Sequence, residues 1–373
     1  MAAAPSPQTR SILDGAAPAT GSATPKLTTH GMCLAAGGGE LYTDAMSTVR
    51  LQFAGDEHDD FHSSADFVLA HVSDLHLSSL QGVNLRALLG KRVFGYLSWR
   101  FRRRHEHRIE VLDALRADLQ AACFDHIAVT GDLTHLGLPR EFREAAAWLA
   151  RLGVPTGVTV VPGNHDAYAA EPWEETFSQW SAYMTGDSVG ETTGPDDVFP
   201  SLRIRRHVAL IGLSTALPSA PLLATGRLGE HQLGRLDRIL EQTAGSGLFR
   251  VVLLHHPPAP HTVRWRKSLI DAAALRDVLV RRGAELVLHG HAHFSAATYL
   301  DAARGKTLAI GVPSASAIGA DGDRCASYHI YRIQGGDDGW RLRISVRAYS
   351  PERGAFVAAG SQWLRSALAA APA

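Results

Sequence analysis

From Phe67 onward, apolar residues fall into short runs that alternate with amphipathic stretches. The runs "FVLAHVS", "HIAVTG" and "GVTVVPG" predict buried strands, and "RIEVLDALRADLQAA" and "REFREAAAWLARL" between them predict helices. A second set follows, with strands at "RIRRHVALIGL", "FRVVLLHH" and "AELVLHG" and helices at "EHQLGRLDRILEQT" and "LIDAAALRDVLVRRG". From Thr298 to Val346 the chain predicts successive strands with Gly and Asp turns. Such alternation predicts an α/β fold, with sheets flanked by helices.

The two ends of the chain differ from this pattern. Residues 1–65 are rich in Ala, Ser, Thr, Pro and Gly and have no sustained period, so we predict a disordered N-terminal tail. Within it, Met46 is a second candidate start beside Met1. Residues 66–350 are predicted to form one domain, and residues 351–373 a C-terminal tail or a short helix at "SQWLRSALAAAPA".

Composition narrows the class of protein. The chain has 373 residues, 45% of them hydrophobic, and its 37 basic and 37 acidic side chains cancel, so only a local patch could attract a polyanion. The three cysteines, Cys33, Cys123 and Cys325, fit free thiols in a reducing compartment. We find no apolar run long enough to span a bilayer and no apolar signal core, which predicts a cytoplasmic protein.

Side chains that bind metals follow five of the predicted strands. A lone histidine there is more often structural, and a lone Asp is often a turn or cap residue, but five such motifs together indicate a site. Without thiolates, this set of oxygen and imidazole donors suits Mn, Fe, Co or Zn with positions left open to water. The motifs are Asp74-Leu75-His76, Gly131-Asp132, Gly163-Asn164-His165-Asp166, His255-His256 and Gly290-His291-Ala292-His293.

In this order the motifs resemble the signature of the calcineurin-like metallophosphoesterases, D-x-H, G-D, G-N-H-[DE], H and G-H-x-H. The resemblance implies a four-layer α/β/β/α sandwich with two mixed sheets and a dinuclear centre of Mn, Fe or Zn. It also implies a ligand set: Asp74, His76 and His293 for one ion, Asn164, His255 and His291 for the other, and Asp132 between them.

The resemblance further implies hydrolysis of a phosphodiester or pyrophosphate bond by a hydroxide that bridges the metals. His165 is implied to be catalytic, stabilising the transition state or protonating the leaving oxygen. Asp166 would hold that imidazole or cap the following helix. His256 would orient His255 or contact substrate, and His289 is expected to be structural.

A long insert, residues 78–108, separates the first two motifs and ends in the basic and aromatic stretch "GYLSWRFRRRHEHR". It leaves the strand end that carries Asp74, so its arginines could bind phosphate oxygens. A solvated helix start is an equally weighted alternative. The apolar residues of the stretch could instead contact a membrane or an acyl chain. The candidate substrate-binding arginines are Arg102, Arg103 and Arg104.

The substrate stays open between two classes. Bacterial 3′,5′-cyclic nucleotide phosphodiesterases share the signature, whereas the insert is similar in character to that of UDP-2,3-diacylglucosamine pyrophosphatases of lipid A synthesis. The expected partner is a phosphorylated small molecule or a lipid nucleotide, with peripheral contact at the inner membrane face as an option. A nucleic acid is the least favoured partner, because the basic patch is short. A non-catalytic scaffold is disfavoured, because every signature position carries a competent residue.

Overall fold

A computed structural model describes residues 66–77, 79–187, 195–318, 325–336 and 339–366. The tail predicted for residues 1–65 lies outside these described residues. The strands are β1 Phe67–Val72, β2 His126–Val129, β3 Val158–Val160, β4 Ser201–Arg205, β5 Val208–Gly212, β6 Phe249–Leu253, β7 Leu286–His289, β8 Ala296–Ala302, β9 Gly305–Gly311, β10 Ser327–Gly336, β11 Gly339–Ser350 and β12 Ala355–Arg365.

The helices lie mainly between the strands, as the alternating pattern predicts. They are α1 Arg92–Ser98, α2 Arg104–Glu106, α3 Ile109–Ala121, α4 Pro139–Leu152, α5 Ser181–Met184, α6 Pro195–Val198, α7 Glu230–Ala244 and α8 Ala272–Arg282. Five 3₁₀ segments join them, at Leu85–Leu88, Pro155–Gly157, Trp173–Glu175, Phe177–Trp180 and Trp265–Lys267. A π-helical turn, Trp99–Arg103, connects α1 to α2.

The strands form two mixed sheets of six strands each, which confirms the predicted fold class. The first sheet has the order β12-β11-β10-β1-β2-β3, with β1, β2 and β3 parallel. The second has the order β4-β5-β6-β7-β9-β8, with β5, β6, β7 and β9 parallel and antiparallel strands at both edges. The carboxyl ends of the parallel strands in each sheet therefore meet along one edge.

The layers follow from alternation along the buried strands. In β6, Val251 faces a core cluster that also contains residues of the first sheet, such as Leu69, and of α4, such as Phe142. Its neighbour Val252 faces a second cluster with Leu236 of α7 and with residues of α8. Successive side chains of a strand point to opposite faces, so each strand of this sheet touches two layers. The order is helices, sheet, sheet, helices.

Two local predictions were wrong. The run "RIRRHVALIGL" is not one strand but the antiparallel pair β4 and β5, because Arg206 adopts a left-handed φ of 54° and reverses the chain. At the other end, residues 355–365 form β12 rather than a tail or short helix, and they pair with β11 from Arg341 to Ser350. Residues 367–373 lie outside the described part of the chain.

Cys123 and Cys325 are free thiols, as predicted, whereas Cys33 lies outside the described residues. Among the residues that the structure describes, no helix is both long and apolar enough to cross a membrane.

Candidate metal centre

The candidate ligands all lie just beyond the carboxyl ends of parallel strands. Because these strands belong to two facing sheets, the loops that follow them converge on one place. Asp74 and His76 follow β1, Asp132 follows β2, Asn164 follows β3, His255 follows β6, and His291 and His293 follow β7.

Three of these side chains form a first group. Asp74, His76 and His293 each offer one donor atom, and the three atoms lie within 4.8 Å of one another. Oδ1 of Asp74 is 2.9 Å from Nε2 of His293. Asp74 and His76 are buried, and His293 is partly exposed. One ion could therefore be bound here and still be reached from solvent.

A second group lies beside the first. Asp132, His255 and His291 have donor atoms within 4.8 Å of one another, and all three residues are buried. Nε2 of His255 is 3.3 Å from Oδ2 of Asp132 and 3.2 Å from both Nδ1 of His291 and Oδ1 of Asn164. The backbone N–H of His291 donates to Oδ2 of Asp74 at 3.0 Å, which links the two groups.

The donor chemistry of the histidines fits metal ions. His76 and His255 each place Nδ1 on a backbone carbonyl, of Thr134 at 2.9 Å and of Thr130 at 2.6 Å. A carbonyl only accepts, so Nδ1 carries the proton and the lone pair of Nε2 is left for an ion. His291 reverses the roles, with Nε2 on the carbonyl of Lys267 and Nδ1 facing the group.

Two buried atoms strengthen this fit. Nε2 of His76 is buried without a hydrogen-bond partner among the described residues, and Oδ1 of Asp74 makes no regular hydrogen bond although Nε2 of His293 lies 2.9 Å away. Burying polar atoms without a partner is costly, and a bound cation would compensate both. Burial alone would lower the pKa of His255, but the charges of Asp132 and Asp74 raise it to about 9. The site therefore favours positive charge.

The backbone at the ligands is unusual. Five ligands have left-handed φ angles between 45° and 67°, a region that side chains other than glycine rarely occupy. Strained backbone of this kind persists where the surrounding structure enforces it, and it is concentrated at functional sites. The five are Asp74, His76, Asp132, His291 and His293.

Two glycines allow the loops to approach each other. A Cβ on Gly131, whose φ is 94°, would lie 2.6 Å from the backbone nitrogen of Gly163. A Cβ on Gly163 would lie 2.5 Å from the backbone nitrogen of Asp132 and would collide with its carboxylate. Only glycine fits at either position, so the loops after β2 and β3 can lie in direct contact.

His165 lies at the edge of the site beside the insert. Its Nδ1 is 2.6 Å from the carbonyl of His135, so Nδ1 donates and Nε2 accepts. Nη1 of Arg103 is 2.7 Å from that Nε2. Burial and then the charge of Arg103 hold the pKa of His165 well below its usual value. Of the arginine run, Arg103 thus reaches the site.

Asp166 has a different place from the one expected. The carbonyl of His135, not Asp166, holds the imidazole of His165. The carboxylate of Asp166 accepts the backbone N–H groups of Asp132, Thr134 and Gly163, each at 2.9 Å. Burial and the charge of Asp132 raise the pKa of Asp166 to about 7. Its position fixes the loops that carry the ligands.

The other candidate substrate residues do not meet at the site. Both ring nitrogens of His256 are occupied, Nδ1 by Thr215 at 2.8 Å and Nε2 by the carbonyl of Ala224 at 3.1 Å. His256 is fully buried, with its ring 4.3 Å from that of His291, so it supports a ligand rather than facing substrate. Arg104 is exposed and donates to His105. The side chain of Arg102 lies outside the described part of the chain.

Two histidines at the site were missed by the sequence reasoning. The ring of His135 stacks on His76 with centroids 4.9 Å apart, and the ring of His107 lies 4.5 Å from His76 on another side. His107 is held by Ser316, whose Oγ is 2.7 Å from Nδ1. The signal was weak, because His107 belongs to the insert and His135 follows a motif whose pattern stops at Asp132.

Comparison with known proteins agrees with this geometry. The chain is 29% identical over 240 residues to a cAMP/cGMP dual specificity phosphodiesterase of Mycobacterium tuberculosis, covering 63% of this chain and 64% of that protein, just under two thirds of its length. A probable cyclic nucleotide phosphodiesterase of Synechococcus sp. is 26% identical over 238 residues, which cover 62% of this chain and 80% of the relative.

The fold has solved counterparts as well. A dimetal phosphatase from Danio rerio superposes with a TM-score of 0.55 at 15% identity, covering 80% of this chain and 99% of that one. The family model of the calcineurin-like phosphoesterases matches residues 67–295, which include every candidate ligand. This match covers more than half of the sequence, and the chain belongs to the calcineurin-like phosphoesterase family.

Proposed function

We propose that the protein is a metal-dependent hydrolase that cleaves a phosphodiester bond in a small molecule. One observation carries the proposal: two adjacent groups of three donors, each within 4.8 Å, lie at the strand ends. The carbonyl partners of His76, His255 and His291 leave one lone pair of each ring directed at these groups. Ordinary turn residues have no need of this arrangement.

Members of this family work with two metal ions, and the donors here suit Mn, Fe or Zn. We assign Asp74, His76 and His293 to one ion, and Asp132, Asn164, His255 and His291 to the other, with Asp132 also reaching the first. When bound, two such ions polarise the phosphoryl oxygens and lower the pKa of water towards neutrality.

The side chains of this protein complete the chemistry. Arg103 is placed to bind a phosphoryl oxygen, since its guanidinium already lies at the edge of the site. When it does so, Nε2 of His165 is released from the guanidinium and can take up a proton from water, which it then donates to the leaving oxygen, while Nδ1 stays on the carbonyl of His135. Asp166 keeps the loops after β2 and β3 in register through the N–H groups it accepts.

The first substrate class to test is the cyclic nucleotides, which the names of two relatives specify for those proteins. A pyrophosphate with an acyl-bearing nucleotide, such as UDP-2,3-diacylglucosamine, is the second. It is favoured by the exposed apolar side chains of the insert, among them Phe94 and Phe101, next to the Arg103 that enters the site.

The test is an assay of metal-stripped protein reloaded with Mn. The panel contains a bis-aryl phosphodiester, 3′,5′-cyclic AMP and UDP-2,3-diacylglucosamine. We expect activity that needs metal and is abolished in Asp132→Ala. Asp301→Ala, which removes an exposed carboxylate paired with Lys306, is the matched control and should stay active. If the folded protein binds metal but cleaves none of the three, the proposed reaction is wrong.

A further inference from the structure

The insert carries an exposed apolar stripe. Leu89, Phe94 and Phe101 are 75%, 56% and 76% exposed, and Val93 and Leu97 lie between them with over two fifths of their surface in solvent. Val93, Leu97 and Phe101 are spaced by four, so along α1 and the π-helical turn after it they fall on one side, and Leu89 lies in the extended segment just before α1. We call these five residues the apolar stripe.

The stripe is not the side that packs the insert onto the domain. The inner side of α1 carries Arg92 and Gly95, and the turn carries Trp99, which is 5% exposed and packs with Leu136. A Cβ on Gly95 would collide with Leu136, which shows how closely this side fits. Docking thus uses the inner side, and the apolar stripe lies exposed on the outer side.

The stripe continues onto a neighbouring loop. Nζ of Lys91, between two stripe residues, donates to Oγ of Ser219 and to the carbonyl of Leu223. The adjacent Leu222 is 78% exposed. Ala224, which follows Leu223, donates its N–H to the carbonyl of Arg266, and the neighbouring Trp265 is 73% exposed. Large apolar side chains thus stand out from three connected segments on one face.

This face is also strongly basic. Residues 79–108 contain eight Lys or Arg residues and one Glu, of which Arg92 is buried and paired with Glu171, and residues 257–270 contain three basic residues and no acidic one. The same face surrounds the candidate metal centre, because Arg103 contacts His165 and the carbonyl of Lys267 contacts His291.

We propose that the apolar stripe, with the basic residues around it, binds the surface of an anionic lipid bilayer. Exposed Phe and Leu flanked by Arg are the composition of segments that lie in a membrane interface. The basic side chains would meet anionic headgroups while the stripe enters the acyl boundary. A nucleic acid would satisfy the charge but leave the apolar side chains in water. The mouth of the metal centre would then face the membrane, whatever the substrate.

The experiment measures flotation of the full chain with phosphatidylcholine vesicles, with or without a third of the lipid as phosphatidylglycerol. We expect binding to the anionic vesicles that weakens with salt. Phe94→Ser with Phe101→Ser should lower the partition coefficient by roughly tenfold or more. Arg86→Ala and Arg100→Ala should each lower it by roughly fivefold.

The matched control is Val154→Ser with Ile204→Ser, which changes exposed apolar residues at the opposite ends of the strands and should bind as the wild type does. Melting temperatures check that every variant is folded. The proposal is overturned if the wild type does not float with anionic vesicles. It is overturned equally if the double variant Phe94→Ser, Phe101→Ser floats like the wild type while DNA competes for binding. It is also overturned if the effect of the double variant is to dissociate a dimer of this chain.

Discussion

The strand-end loops and the insert approach the same metal centre in opposite ways. In the loops, Asp74, Asp132 and His255 are buried, and the first two have left-handed backbone that the packed sheets enforce. In the insert, short helical segments leave most described side chains exposed, and among these described side chains Arg103 and His107 make contacts that reach the site. The candidate ligands are thus placed by rigid elements, whereas Arg103, which we propose binds substrate, is placed by a smaller, separately packed unit.

The largest effect is expected when the strand-end loops are disturbed without removing a candidate ligand. In Gly163→Ala the new Cβ meets the backbone and carboxylate of Asp132. We expect phosphodiesterase activity to fall roughly hundredfold or more, because small displacements at a catalytic centre are costly. Activity and bound metal, by mass spectrometry, are measured together.

The control for that change is Gly157→Ala, in the 3₁₀ segment just before β3, where the nearest atom to a Cβ is 4.0 Å away. It should keep activity and metal. If Gly163→Ala also keeps both, the loops are not as rigid as the packing indicates.

The second prediction concerns the insert. Arg103→Ala removes the guanidinium that contacts His165, and kcat/KM should fall by roughly tenfold to hundredfold, the worth of one charge-assisted hydrogen bond. Arg103→Lys should recover part of the loss, and metal content should not change. Arg104→Ala removes an exposed neighbour bonded to His105 and is the comparison. Equal losses in both variants would mean that the run acts by charge alone.

The strand-end loops and the insert also differ in how far their sequences predict the position of the side chains. The candidate ligands come together because each follows an apolar run, and a run that ends at the carboxyl edge of a sheet has its place fixed by topology. Arg103 could not be chosen from three arginines, because the choice depends on a π-helical turn that no pattern indicates.

The same reasoning explains the other errors. His135 reaches His76 only because the loop after β2 folds back, which is a tertiary event. The strand Ala355–Arg365 is rich in Ala and Gly, so its alternation was faint, and pairing with β11 decides its structure.

The far ends of the strands, away from the candidate metal centre, behave differently with pH. Burial, with the charges of Arg203 and Arg205, lowers the pKa of His126 to about 3. The pKa of this histidine in the unfolded chain is about 6.5. Below that pH the unfolded chain binds a proton that the folded chain does not, so the free energy of unfolding decreases as the pH is lowered from about 6.5 towards 3. From about pH 7.5 to about pH 5 this residue should cost about 2 kcal/mol.

In His126→Gln, which can keep a hydrogen bond to Thr159, that part of the pH dependence should disappear. The free energy of unfolding of metal-stripped protein in urea, measured at both pH values, tests this. His231→Gln removes an exposed histidine of α7 and serves as the control. An unchanged pH dependence in His126→Gln would show that His126 is protonated in the folded protein.

The smallest expected effect is on the free energy of unfolding when either of two helical glycines, Gly234 or Gly95, is replaced by alanine. The comparison of the two variants tests how tightly the insert is packed. Gly234→Ala in α7 has open space around the new Cβ, so the better helix propensity should raise the free energy of unfolding by about 0.5 to 1 kcal/mol. Gly95→Ala in α1 gains the same propensity, but its Cβ meets Leu136 and lies 2.6 Å from the hydroxyl of Tyr168. Overpacking costs about 1 to 3 kcal/mol, so the sum should be destabilising by about 1 kcal/mol. Since α1 leads directly into the turn that carries Arg103, Gly95→Ala should also lower kcat/KM while metal content is unchanged. If both variants are stabilised alike, the packing of Gly95 against Leu136 and Tyr168 yields easily, and the insert is not held as closely as the structure indicates.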